Sequence, residues 1–198
     1  MAVVAYAAAP PANTSIGNQA SATYTDASNT HRTATSNTVV TIVQQVAGFI
    51  LTTDGQSKPA VPGAQVVFSH TLINTGNGID TFDLRAVNNG EGNFVLTNVT
   101  LYADADGSGV PDKRAPITST GPLAPGASFK FVAVGIVPVT QMSLQMATIA
   151  ISAAGTATEI PAPPQSNIDT AMVNSDPTIN TAQASFVNHV PEIPIVSL

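Results

Sequence analysis

The strongest constraint on the fold is a regular alternation of apolar and polar residues between Ala64 and Leu84. In the first half of this stretch Val66, Phe68 and Leu72 share one parity, and polar residues dominate the other. A period of two places alternate side chains on opposite faces of a β-strand. The pattern therefore predicts a strand with one face in a core.

The same pattern returns from Asp80 to Val87, where Phe82 and Leu84 share one parity. Asn77-Gly78 lies between the two segments, and such a pair is typical of a tight turn because both residues accept a positive φ. The stretch therefore predicts a β-hairpin. Since two strands alone cannot bury a face, the rest of the chain must supply further strands.

Other segments also have the composition of strands and are separated by turn-forming residues. Fifteen prolines and fourteen glycines among 198 residues discourage long helices. The sequence thus predicts an all-β chain, an antiparallel immunoglobulin-like β-sandwich of Greek-key type with extended strand-like arms at the N- and C-termini. The further predicted strands are Ile16–Asp26, His31–Val46, Phe49–Thr53, Phe94–Ala103, Phe129–Val139 and Ala147–Thr158.

Three regions follow from these segments. Residues 1–45 form an N-terminal arm with a threonine-rich β-hairpin, a candidate for exchange between subunits, and residues 46–158 form the sandwich core. Residues 159–198 begin as a linker rich in proline and end as a strand-like tail. The apolar Met1–Ala9 has two interpretations, a signal-peptide remnant or a mature strand.

Composition excludes several classes of function. Only 9% of residues are charged, the net charge is −6 and the six basic residues are scattered, which argues against nucleic-acid binding. The sequence contains no apolar run of about 20 residues, so it predicts no membrane span. The chain has no cysteine, so disulfides and thiol chemistry are excluded. No combination of acid, base and nucleophile stands out, and we expect a protein that is not an enzyme.

An acidic loop, DADGSGVPD, is the strongest motif for chemistry. Counted from its first residue, oxygen ligands fall at positions one, three, five and nine, a backbone carbonyl at seven and glycine at six, as in the first part of a calcium loop. Ala115 replaces the usual carboxylate at position twelve, so a Ca²⁺ site would be weak or completed from elsewhere. The alternative is a solvated acidic turn. The candidate ligands are Asp104, Asp106, Ser108, Val110 and Asp112.

Two further sets of residues carry weaker signals. His31, His70 and His189 show no metal-ligand spacing and are interpreted as strand or surface histidines. Asn13 and Asn98 each begin an N-glycosylation sequon, a short pattern that also occurs by chance.

Four segments carry a resemblance to a known family: Ile16–Asp26, Thr35–Val39, Asn74–Gly78 with Asp80–Phe82, and Leu101–Asp112. They resemble the conserved-repeat, immunoglobulin-like modules of bacterial and archaeal cell-surface proteins. The resemblance covers approximately residues 13–158 and implies an extracellular β-sandwich that acts as a structural or adhesive module.

Two hypotheses about function follow. The first is an extracellular structural protein, a self-assembling filament or surface-layer subunit whose partner is a second copy of itself. Met1–Tyr24 or Thr178–Leu198 would be donated to a sheet edge of the neighbour, and head-to-tail donation would build a fibre.

The alternative is a monomeric, calcium-stabilised cell-surface adhesin or spacer with cell-surface or matrix partners. Both arms could also fold back onto their own sandwich.

Overall fold

The computed structural model describes residues 9–173, which form an exposed arm and a two-sheet sandwich. The predicted all-β class is confirmed, and no helix in this range is long and apolar enough to cross a membrane. The arm consists of β1 (Ser15–Asn18), β2 (Ser21–Thr25), β3 (His31–Thr35) and β4 (Val39–Ile42). The sandwich consists of β5 (Phe49–Thr52), β6 (Ser57–Ala60), β7 (Gln65–Asn74), β8 (Asp80–Gly92), β9 (Thr97–Ala103), β10 (Ser119–Leu123), β11 (Ser128–Ile136), β12 (Met146–Gly155) and β13 (Gln165–Val173).

The two sheets of the sandwich have the strand orders β5-β7-β11-β9 and β10-β8-β12-β13-β6. From β5 to β12, each strand lies in the opposite sheet from the strand before it. β12 and β13 are antiparallel neighbours in one sheet, and β13 pairs with β6 in parallel. The chain therefore weaves between the layers, so that neither sheet is built from strands in sequence order.

The prediction of a hairpin between β7 and β8 is wrong, because the two strands lie in opposite sheets. The connecting segment crosses the end of the sandwich, and neither Gly76 nor Gly78 has a positive φ. A Cβ atom at Gly76 would lie 2.7 Å from the carbonyl oxygen of Val46, and one at Gly78 would lie 2.9 Å from Cδ of Gln45. Glycine is needed here because the base of the arm packs directly against the backbone.

The alternation in β7 does define the core, as predicted. Its inward row is buried along the whole strand, and it meets apolar side chains from the other sheet. Phe49 and Phe82 pack across the two sheets with their ring centroids 5.0 Å apart. Each fully buried phenylalanine contributes about 1.5–3 kcal/mol relative to an exposed one. The largest apolar side chains in this core are Phe68, Phe82, Phe131, Leu72, Ile149 and Ile151.

β11 is a central strand between β7 and β9, as its apolar sequence predicts. Val132 shares the outer face of the sheet with Lys130 and is nevertheless fully buried. The acidic loop passes over this face, since a Cβ atom at Gly109 would lie 3.5 Å from Oγ of Ser69, the residue paired with Val132. The loop is therefore packed on the sheet and does not project freely into solvent.

The chain after residue 158 is predicted to begin as a linker, up to residue 176. This prediction is wrong for Gln165–Val173, because this segment is β13, which forms an eight-pair ladder with β12. The inward row of β13 begins with Asn167 and Asp169 and ends with Ala171 and Val173. The described core therefore extends to residue 173 and does not end at residue 158. The predicted tail Thr178–Leu198 lies outside the described residues, as does nearly all of the apolar Met1–Ala9 segment.

A buried polar pair joins the two sheets. Nε2 of His70 lies 2.9 Å from Oδ2 of Asp169, and both side chains are fully buried. Within the described residues, neither ring nitrogen of His70 has a hydrogen-bond partner, so this close contact is not a well-formed hydrogen bond. Asp169 also accepts the backbone N–H of Gln56 at 2.9 Å, and the His70 ring stacks on Phe131. His70 is thus a core strand residue, consistent with its structural interpretation.

Candidate functional site

The arm is an antiparallel ribbon in which every strand residue is exposed. β1 pairs with β4 from Ser15↔Ile42 to Asn18↔Val39, and β2 pairs with β3 from Ser21↔Thr35 to Thr25↔His31. The four-residue turn at 27–30 closes the far end. Residues 13–43 therefore leave the sandwich as one paired ribbon, which we call the arm.

The lower half of the arm, β1 with β4, carries exposed apolar side chains on both of its faces. Ile16 and Val39 lie on one face, and Val40 and Ile42 lie on the other, opposite the small residues of β1. These four side chains are between 50% and 62% exposed. Val40 and Ile42 therefore form a continuous apolar strip that nothing in the described residues covers.

The tip of the arm is held by polar contacts. Oδ1 of Asp26 accepts the backbone N–H groups of Ser28 and Thr30, and Oδ2 accepts Nε of Arg32 at 2.9 Å. The hydrogen bond from Thr30 and the Arg32 guanidinium lower the pKa of the Asp26 carboxyl. Asp26 thus fixes the turn, and its charge is already paired within the arm.

The base of the arm is anchored on the connection between β7 and β8. Nδ2 of Asn77 donates to the carbonyl oxygens of Gln44 and Pro10, and its Oδ1 accepts the N–H of Val46 at 2.8 Å. The backbone N–H of Gln45 donates to the carboxylate of Glu159. These contacts determine where the arm leaves the sandwich.

The acidic loop brings together three of the predicted calcium ligands. Carboxylate oxygens of Asp104, Asp106 and Asp112 all lie within 4.8 Å of one another. The loop is closed by two hydrogen bonds, from the N–H of Asp112 to the carbonyl oxygen of Ala103 and from the N–H of Ala105 to Oδ2 of Asp112. The convergence of the three carboxylates therefore follows from the backbone path of the loop.

The environments of the carboxyls differ. Burial raises the pKa of Asp104, and the nearby Asp106 carboxylate raises it further, whereas the N–H of Gly109 opposes the shift. Hydrogen bonds from the backbone and hydroxyl groups of Ser108 lower the pKa of Asp106. The loop thus holds one buried and two exposed carboxyls, and a cation between them would relieve their mutual repulsion.

The remaining predicted ligands lie in the same turn. Oγ of Ser108 lies 3.4 Å from Oδ1 of Asp104 and accepts the N–H of Val110 at 3.3 Å. Gly107 has φ +74°, a conformation that glycine adopts without strain, and a Cβ there would lie 2.8 Å from Nζ of Lys130. The Lys130 ammonium beside Gly107 therefore contributes positive charge at the loop.

The edge of β5 is not free to accept a donated strand. The side-chain amide of Gln165 accepts the N–H of Leu51 and donates to the carbonyl oxygen of Phe49. Nδ2 of Asn167 donates to the carbonyl oxygen of Leu51. Side chains of β13 thus take the place of a further strand. The sequence did not predict this role for Gln165 and Asn167, because they lie in the segment interpreted as a linker.

The other predicted residues are dispersed. His31 lies on the arm, where its Nδ1 is 3.3 Å from Oγ1 of Thr25, and His189 lies outside the described residues. The sequon residues Asn13 and Asn98 are both exposed and both have a positive φ. The structure does not bring these residues together into one site.

Comparisons with known proteins identify no family for this chain. No family model and no curated protein sequence matches the chain. Among solved structures, PapD-like domain 7 of human CEP192 has 12% identity and a TM-score of 0.39, covering 65% of this chain and 87% of that one. SSP-19, an MSP-domain-like protein of Caenorhabditis elegans, has 17% identity and a TM-score of 0.31, covering 59% and 94%. A family 123 glycoside hydrolase from Clostridium perfringens has 9% identity and a TM-score of 0.39, covering 65% of this chain but 27% of the hydrolase.

Proposed function

We propose that this protein is an extracellular structural subunit that assembles with copies of itself into a filament or surface layer. The observation that carries the proposal is the arm, a paired ribbon that projects from the sandwich with uncovered apolar side chains. The whole ribbon, rather than Met1–Tyr24 alone, is the donated element, because β1 and β2 are already paired with β4 and β3.

The physical argument concerns the stability of the ribbon. A two-stranded ribbon is marginally stable in water when neither face is buried. Val40 and Ile42 would each contribute about 1.5–3 kcal/mol if they were fully buried against a neighbour. A second copy supplies such a surface without any other component.

The extracellular, prokaryotic setting of the proposal rests on composition and resemblance. Low charge and threonine-rich strands favour an exported protein, and the resemblance to conserved-repeat modules points to the surfaces of bacteria or archaea. A structural role is consistent with a sandwich in which the inward side chains of the long strands pack in the apolar core.

The experiment that tests this proposal is negative-stain electron microscopy of the full chain and of the double variant Val40→Thr/Ile42→Thr. Threonine keeps the β-branched shape that suits a strand while removing apolar surface. We expect polymers from the wild-type chain and monomers from the variant. The control, Thr23→Ser/Thr33→Ser, changes the polar half of the arm and should still polymerise. A wild-type chain that stays monomeric at all concentrations would overturn the proposal.

We also propose that the acidic loop binds Ca²⁺ and thereby stabilises the sandwich. The convergent carboxylates of Asp104, Asp106 and Asp112 support this, and the loop is packed on β11. Calcium should raise the Tm of the wild-type chain and leave that of Asp104→Asn unchanged. Asp54→Asn, an exposed aspartate outside the loop, should respond to calcium as the wild type does. Isothermal titration that detects no Ca²⁺ binding to the wild type would refute this second role.

A further inference from the structure

We propose that the arm of one copy docks on the opposite end of the sandwich of the next copy, on an apolar surface that we call the acceptor end. This inference rests on the proposed self-assembly and names its second surface. The acceptor end consists of Val139, Met142, Leu144, Met146 and Met172.

The arm and the acceptor end lie at opposite ends of the molecule. The arm is anchored at the connection between β7 and β8, where β7 ends. The acceptor end lies where β7 begins, because Gln65 pairs with Ile136 and the N–H of Val137 donates to the carbonyl oxygen of Ala64. The central strands β7 and β11 therefore run from one surface to the other.

Three side chains of the acceptor end are more exposed than any of the four apolar strand residues of the arm, which are at most 62% exposed. Val139, Met142 and Leu144 are 78%, 72% and 77% exposed. Met146 and Met172 are paired across β12 and β13 and extend the surface along the sheet. Unbranched methionine side chains adapt readily to an incoming surface.

Leu144 is the most informative residue of this surface. Its φ is +66°, a region that a bulky non-glycine residue rarely adopts, and its side chain points into solvent. Its N–H donates to the carbonyl oxygen of Val173, and the N–H of Val173 donates to the carbonyl oxygen of Gln145. Within residues 9–173 the side chain of this strained leucine stays exposed, and such strain is concentrated at functional sites.

The two surfaces are also compatible in charge. Residues 138–146 contain no charged side chain, and neither do β1 and β4. The charged residues of the arm, Asp26 and Arg32, are paired with each other at its tip. The loop of residues 138–146 and the lower half of the arm therefore bring no charge of their own into the contact, and the nearest charged residues are Glu91 and Lys58 on the neighbouring strands.

This arrangement determines the type of assembly. Each copy carries a donor at one end and a different acceptor at the other, so the contact is heterologous. A heterologous contact that does not close into a ring produces an open filament. Of the two forms of structural subunit, the geometry favours the filament.

The variant Leu144→Gly tests the acceptor end without endangering the fold. Glycine adopts positive φ freely, so the Tm should stay equal or rise, while loss of the leucine side chain should raise the critical concentration for assembly at least about tenfold. The control Ile50→Thr alters a half-exposed residue at the other end of the sandwich and should assemble normally. Normal assembly of both Leu144→Gly and Leu144→Gly/Met142→Ser would overturn the inference while leaving self-assembly itself intact.

Mixing the two defective variants provides an independent test. Val40→Thr/Ile42→Thr retains the acceptor, and Leu144→Gly/Met142→Ser retains the arm, so a mixture should form one-to-one dimers that cannot grow. Sedimentation velocity measures these species. A mixture that remains monomeric, together with a wild type that polymerises, would contradict the assignment.

The cysteine-free chain allows the contact to be trapped directly. Oxidation of Val40→Cys mixed with Leu144→Cys should give a disulfide-linked heterodimer, whereas Val40→Cys with Ile50→Cys should not. The competing occupant is the segment 174–198 of the same chain, which follows Val173, the residue that accepts the N–H of Leu144. If single cysteines in that segment cross-link to Leu144→Cys within one chain and the heterodimer is absent, the inference fails.

Discussion

At the scale of the residue, the fold depends on a few polar side chains that lie inside an apolar layer. Asp169 is the central residue of this group, because it contacts His70 from the opposite sheet and the backbone of Gln56, which lies where the chain crosses between the sheets. A buried carboxylate with specific partners is costly to disturb from either side, since each partner loses its compensation.

Asp169→Ala should therefore lower the free energy of unfolding by about 1–3 kcal/mol, because it leaves the Gln56 N–H without its acceptor and removes the carboxylate in contact with the His70 ring. Urea denaturation followed by circular dichroism measures the change. The matched control is Asp83→Ala on β8, an exposed aspartate whose loss should cost less than about 0.5 kcal/mol. Equal effects from the two variants would show that the buried pair adds nothing.

At the scale of the element, the arm shows how much can be predicted from local pattern. The sequence predicted its two strands and the turn between them, because alternation and turn residues are local signals. It also predicted the inward row of β7 and the central place of β11. These predictions depend on side chains that the strand itself carries.

The partner of each strand was harder to predict. A hairpin and a crossing between two sheets leave the same alternation in β7 and β8, so the pattern alone predicts a hairpin turn at Asn77-Gly78. β13 was missed because its pattern is inverted: Asn167 and Asp169 face inward, and Ile168 faces solvent. The carboxylates of the acidic loop were close in sequence, and their proximity was accordingly predictable, whereas the contact with Lys130 required the fold.

The turn of the arm should respond to pH in a defined direction. Since the pKa of Asp26 is lowered by Thr30 and Arg32, its stabilising contribution is fully present above the unfolded value of 3.8 and is lost as the pH falls through the lower folded value. An NMR titration of the Asp26 carboxyl carbon measures the midpoint. Arg32→Ala should move that midpoint upward, and a wild-type midpoint at or above 3.8 would contradict the contacts described.

At the scale of the whole molecule, the proposed assembly would join two surfaces that are mainly apolar. Salt screens interactions between exposed charges but not apolar burial, and sulfate strengthens burial. Filament yield should therefore change little between about 0.05 M and about 0.5 M sodium chloride, although the Debye length falls severalfold over this range, and should rise with ammonium sulfate. Pelleting assays measure both effects. Dissolution of filaments by sodium chloride would indicate an interface built on ion pairs.

The weaving of the chain between the sheets has a consequence for the order of events during folding. Every strand from β5 to β11 pairs only with strands that are not its neighbours in the chain. Proteins dominated by such non-local pairing fold in about milliseconds to seconds. The arm closes from its own turn outward, and a hairpin forms in about 1–10 μs. The apolar strip of Val40 and Ile42 is thus displayed before the loop that carries Leu144 has taken its final shape. The slower closure of the sandwich would then set the moment at which a newly made copy can be joined by another.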